Sequence, residues 1–140
     1  MARTYSLEQV LGLKRQLEDQ RKLQLAQAEQ ARQEQVERLD LMLRLMEDQC
    51  DAKVSPDMIE QRGQFFFSHL TRIQDARKTL QSAIDLRDVA QAHLVQASVN
   101  RKKFEVHKES TMAVARQAEQ AIEQSLLDES AIQVYLRQAR

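Results

Sequence analysis

The chain has 140 residues, 30% of them charged, with 21 basic and 21 acidic side chains and a formal net charge of zero. Two Gly, one Pro, no Trp and 4% aromatic residues are too little turn-forming and core-filling material for an ordinary globular enzyme, where Gly and Pro alone come to roughly 12%. With 20 Gln and 16 Ala, both tolerated inside helices, the composition is that of long helices without a compact single core.

Other classes fall away on the same grounds. No apolar run approaches the roughly 18 residues that cross a bilayer, so direct membrane insertion is not expected, and residues 1–10 lack the basic-then-apolar order of a signal peptide. A cytoplasmic location is the expectation. A lone Cys50 cannot close an intrachain disulfide and is too few for a thiolate metal site, in keeping with a reducing compartment. Zero net charge removes the bulk electrostatic reason to expect nucleic acid or anionic lipid as a partner.

A first helix is expected over about residues 7–52, a stretch free of Pro. Leu25, Ala28, Val36, Leu39, Leu43, Met46 and Cys50 trace one apolar stripe, interrupted near Arg32, while Leu7, Val10, Leu11 and Leu17 trace another slightly out of phase. The seam is therefore expected to stutter between Leu17 and Leu25. Glu18 with Lys22, Glu34 with Arg38 and Asp40 with Arg44 put acid four residues before base, a solvated-face pattern that adds a few tenths of a kcal/mol each.

A hinge with a short helix is expected over about residues 54–63. Pro56 lacks an N–H and forces Ser55 out of the helical region, which stops the first helix. Ser55 then suits an N-cap, Pro56 the first helical position and Asp57 the positive end of the helix dipole. Gly63 either ends this short helix or is passed through by a continuous one.

The second helix is expected over about residues 64–138, which contain no Gly or Pro. A seven-residue row carries Phe66, Ile73, Leu80, Leu94, Ala115, Ile122 and Leu136, interrupted by Arg87, Arg101, Lys108 and Glu129. Its companion row holds Ala76, Ala83, Ala90, Ala97, Phe104, Thr111, Ala118, Ser125 and Ile132. Four alanines at heptad spacing allow a neighbouring helix to approach closely.

These patterns imply an all-α chain, a single coiled-coil domain over residues 1–140, in which a long antiparallel two-helix hairpin has a second helix longer than the first. Folding back at the hinge sets position 7 near position 110 and leaves some 30 residues of the second helix over, roughly 45 Å at 1.5 Å per residue. Ala115, Ala118, Ile122, Leu126 and Ile132 then need an external partner. The heptads by themselves also allow a parallel dimer of both helices; the hairpin is preferred because the single Pro-containing interruption falls where a fold-back requires it.

Candidate chemistry is thin. His69, His93 and His107 are 24 and 14 residues apart, spacings that build no metal pair on one helix, and His69 is expected to be a half-exposed seam residue. No glycine-rich phosphate loop or nucleophile turn is present, so neither catalysis nor a cofactor is expected. Arg101, Lys102, Lys103 and Lys108 form the strongest basic cluster, but Glu105 and Glu109 share its two turns, and Phe104 falls on the alanine row. Seam packing is the preferred reading over nucleic-acid binding. Phe65, Phe66 and Phe67 spread over about 200° of one helix, more than one seam can bury. Either the hinge folds over them or some are exposed, and exposed adjacent aromatics mark a contact surface.

Four stretches in order over nearly the whole chain resemble the FliJ family of flagellar type III export proteins. Residues 5–14 (YSLEQVLGLK) are similar to the family's amino-terminal start, and residues 55–59 (SPDMI) before the Phe cluster to its inter-helix segment. Residues 100–109 (NRKKFEVHKE) resemble its Arg/Lys-rich stretch, and residues 127–132 (LDESAI) its late acidic element. The Phe cluster is more aromatic than the family pattern, and Val106-His107 departs from it. The divergent stalk protein of virulence secretion systems shares the architecture; the flagellar branch is favoured.

The resemblance implies a non-catalytic stalk whose terminal end enters the centre of a hexameric export ATPase ring and whose hinge-side surface meets the membrane-embedded export gate. Carried onto this chain, Lys102, Lys103, Phe104, Glu105, Asp128 and Glu129 become candidates for the ring. Leu39, Met42, Phe66, Leu70 and Ile73 become candidates for the gate, with seam packing expected of at least half. An escort binding export chaperones and a general coiled-coil scaffold are the alternative functions.

Overall fold

The computed structural model describes residues 4–140. Two helices and a single turn of 3₁₀ helix make up the described chain: α1 over Glu8–Asp51, the 3₁₀ turn over Pro56–Met58, and α2 over Ile59–Gln138. The described residues contain no strand, and the two helices pack against each other. Contacts divide the described residues into two units, one of residues 17–97 and one of residues 4–16 with 98–140.

At the start of α1 the Glu8 N–H donates to Tyr5 O at 3.1 Å, and the Glu8 carboxylate lies in the first turn, at the positive end of the dipole. Around the interruption, Ser55 is extended (φ −71°, ψ 151°) as the residue before a proline must be. Ser55 occupies the cap position without a side-chain hydrogen bond; its carbonyl accepts the Met58 N–H at 3.0 Å instead. The 3₁₀ turn runs directly into α2, which starts at Ile59 and passes through Gly63 without a break. Nothing lies within 4 Å of where a Cβ would stand on Gly63, and its φ is not positive, so this glycine is neither a hinge nor a close-packing point.

In the 17–97 unit the helices run antiparallel. His69 meets Met42, Arg87 meets Glu29 and Arg21 meets His93, partners moving in opposite directions along the two helices. Ile73, Ala76 and Ala97 are buried on α2, with Ala83 and Ala90 half-buried on the same alanine row. Small side chains at that spacing let the facing helix come close. On α1 the inward positions are Glu18, Arg21, Leu25, Ala28, Arg32, Gln35, Leu39, Met42 and Met46, an unbroken alternation of threes and fours. The expected stutter before Leu25 is absent, because the seam continues through polar residues that carry apolar stems. Glu18 is 6% exposed and held by Lys22 Nζ at 2.9 Å. Cys50, expected on the stripe, is exposed at the end of α1.

The other unit has its own small core. Leu11 is completely buried and Tyr5 is 5% exposed, its hydroxyl 2.6 Å from His107 Nδ1. Leu7 sits beside Phe104 and His107, a few residues short of position 110. Lys108 Nζ reaches Glu8 at 2.7 Å, and Arg15 lies 3.5 Å from Glu105, so this pairing is antiparallel too. Met112 and Ala115 are the last half-buried positions on α2; every residue from Arg116 to Arg140 is exposed.

Candidate partner-binding site

The residues singled out in the terminal unit divide into two kinds. Lys102 and Lys103 face solvent. Phe104, on the alanine row, turns inward and is half-buried, with Lys14 Nζ 5.8 Å from its ring centroid. Glu105 accepts from Arg101 Nη1 at 2.6 Å and faces Arg15 of α1. These bonds, that from Arg101 foremost, hold the Glu105 carboxyl below its ordinary range. Phe104 and Glu105 are thus engaged in helix packing, while Asp128 and Glu129 stand exposed, Asp128 accepting from Gln124 Nε2 at 2.9 Å.

Around Asp128 and Glu129 the helix exposes large apolar side chains. Ile122 is 60% exposed, Ile132 60% and Leu136 57%, on rows that continue in heptad step the seam covered by α1 as far as Ala115, and Leu126 beside them is 59% exposed. Leu127, Val134 and Tyr135 add exposed apolar surface beyond that stripe. No packing within the unit accounts for so much of it, and contiguous patches of this kind mark interaction surfaces.

Near the hinge, in the 17–97 unit, the singled-out residues also separate. Ile73 is 3% exposed and lies in the seam, Leu39, Met42 and Phe66 are half-buried in it, and Leu70 is exposed. Of the three consecutive phenylalanines only Phe66 turns inward. Phe65 stacks on His69 at 5.4 Å between centroids, and Phe67 is 75% exposed. His69, expected half-exposed, is 7% exposed, and its Nε2 lies 2.7 Å from Met42 O. A carbonyl can only accept, so Nε2 carries the proton.

Two features escaped the sequence reading. Arg62 lies with its guanidinium carbon 5.3 Å from the Phe66 ring centroid and donates to Ala52 O at 2.7 Å and to Gln49 O. It thereby caps the end of α1, whose last turn has no basic residue of its own. The signal was an arginine one turn into α2 beside an aromatic, but its reach across the hinge depends on the fold. Beside it lies an open depression of about 330 Å³, with Val54, Met58, Arg62 and Phe65 among its lining residues. The second feature is the charged pair Glu29–Arg87, at 2.5 Å, in the middle of the seam. Arg87 first and Arg32 next hold the Glu29 carboxyl low, and Glu29 raises Arg87 in turn.

Among the described residues no group of three His, Cys, Asp or Glu side chains could hold a metal ion, and no helix is long and apolar enough to cross a membrane. The class the fold defines is an all-α protein of two long helices packed against each other, with the apolar side chains of residues 116–140 exposed. The family model of the flagellar FliJ protein matches residues 3–140, so the chain belongs to the FliJ family and is a component of flagellar type III export. No curated protein and no solved structure matches it.

Proposed function

We propose that the protein is the non-catalytic stalk of the flagellar export ATPase complex, working in the cytoplasm and held at the inner membrane through the export apparatus. Residues 116–140, Asp128 and Glu129 among them, together with Lys102 and Lys103, contact the centre of the hexameric ATPase ring. Leu39, Met42 and Phe66, half-buried in the hinge-side seam, and the exposed Leu70 contact the export gate. The stalk contributes a coupling free energy between ring and gate rather than chemistry of its own.

The observation that carries this reading is the uncovered apolar continuation of the seam beyond Ala115, taken with membership of the FliJ family. An amphipathic helix in water is stabilised chiefly by the surface it packs against, so an apolar face of this length calls for a partner. The test is phosphate release by the purified export ATPase with and without the protein. Stimulation is expected, and it is expected to be lost in Ile122→Asp/Ile132→Asp. An ATPase rate indifferent to the protein at saturating concentration refutes the reading.

A further inference from the structure

Positions 87, 101, 108 and 129 fall on one seven-residue row of α2, and all four are charged: Arg87, Arg101, Lys108 and Glu129. In the 17–97 unit Arg87 Nε donates to Glu29 of α1 at 2.5 Å. In the other unit Lys108 meets Glu8 of α1 at 2.7 Å. A charge set among apolar neighbours is costly once covered unless an opposite charge meets it: α1 brings one to Arg87 and to Lys108, and Arg101 takes Glu105 of its own helix at 2.6 Å. Glu129 stands on the same row with the sign reversed, in the stretch that α1 does not cover. Ile122, Leu126, Ile132 and Leu136 flank it, all more than half exposed.

A second copy of this chain is a poor occupant of that stripe. A parallel pair sets Glu129 opposite its own counterpart. An antiparallel pair that meshes Ile122 with Ile132 gathers Asp128 and Glu129 of both copies close to the symmetry axis. Like charges facing across a helical seam oppose association in either case.

We propose that the occupant is a helix of a different protein that presents an apolar stripe with an Arg or Lys at its middle, laid along Ala118–Leu136 so that the cation meets Glu129. This deepens the ring-binding reading and rests on it only for where that helix comes from. Glu129 is then the residue that selects the partner, and the apolar positions on either side supply the contact area.

The test uses the full chain and two amphipathic helical peptides of about 25 residues, long enough to hold helix on a surface. The peptides are identical except for Lys or Glu at the central seam position, and binding is followed by fluorescence anisotropy. The Lys peptide is expected to bind at least about tenfold more tightly, as a like charge across a covered seam is penalised. The order should reverse with Glu129→Lys, the preference should vanish with Glu129→Gln, and both peptides should be lost with Ile132→Asp. Failure of both peptides to bind, or a preference untouched by the charge at position 129, overturns the proposal. So does sedimentation showing a dimer of the native chain that Ile132→Asp dissolves. Export-ATPase stimulation that survives Glu129→Lys overturns the proposal but leaves ring binding standing. A charge-reversing peptide preference without any stimulation does the opposite.

Discussion

Charged residues occupy positions in the helix seam where a coiled coil normally places apolar ones, and each is accommodated by a specific neighbour. Glu29 accepts from Arg87 across the helices and from Arg32 at 3.0 Å along its own helix; Arg101 plays the corresponding part for Glu105. Both carboxyls therefore sit below the ordinary glutamate value of 4.5 in the folded state. A depressed carboxyl pKa stabilises the fold above the unfolded-state value, and that contribution is lost as pH falls through the folded-state value. The thermal midpoint of the native chain should decline as pH is lowered from about 5 toward 3. In Glu29→Gln the decline should be shallower, with a lower midpoint at neutral pH, as followed by circular dichroism. Equal slopes in the two proteins would show that the pair adds nothing. Such pairing was only half legible beforehand: the charges on the α2 row stood out as interruptions, but their partners lie 58 residues away in sequence for Arg87 and 100 for Lys108, separations that only the fold closes.

At the scale of elements, α1 and α2 follow from an absence, since almost nothing in either stretch stops a helix, whereas the hinge follows from Pro56 alone. Gly63 shows the limit of reading breakers one by one. It costs helix stability relative to alanine, yet the turns on both sides continue through it, supported by Phe66 and Arg62 against the end of α1. Because a Cβ at Gly63 meets open space, Gly63→Ala should stabilise the fold by about 0.5–1 kcal/mol, read as a higher denaturant midpoint at unchanged slope. A loss of stability would mean that the glycine serves a bend that forms only in another state. The three phenylalanines make the same point for packing. Their spread around the helix forbade burying all three, and the seam chose Phe66 because it falls on the heptad row with Ile73 and Leu80.

For the whole molecule, the division of its apolar residues between covered and uncovered surface matters more than any single contact. Helix that packs on a neighbour opens only with that packing, while helix without tertiary support frays and reforms by itself. Amides of residues 116–140 should therefore exchange hydrogen faster than those of residues 17–97 in the free protein. Adding the purified export ATPase should slow exchange in residues 116–140 selectively, as measured by mass spectrometry. Uniform protection along α2 in the free protein would instead mean that this stretch is already covered.

Local chemistry in the sequence determined that the chain is two long helices joined at Pro56, because helix propensity, heptad spacing and the missing proline N–H all act within a few residues. It also determined that α2 carries more apolar surface than α1 can cover, a matter of length and spacing. The tertiary structure decided which helix faces are covered: that Glu18 and His69 are buried, that Arg62 caps the end of α1, and that Glu105 joins Phe104, already placed on the seam by its heptad position, in the helix pairing while Asp128 and Glu129 stay exposed. Those outcomes depend on which residue of α1 lies opposite which residue of α2. That register is fixed by interlocking side chains far apart in the chain, not by any stretch of sequence read alone.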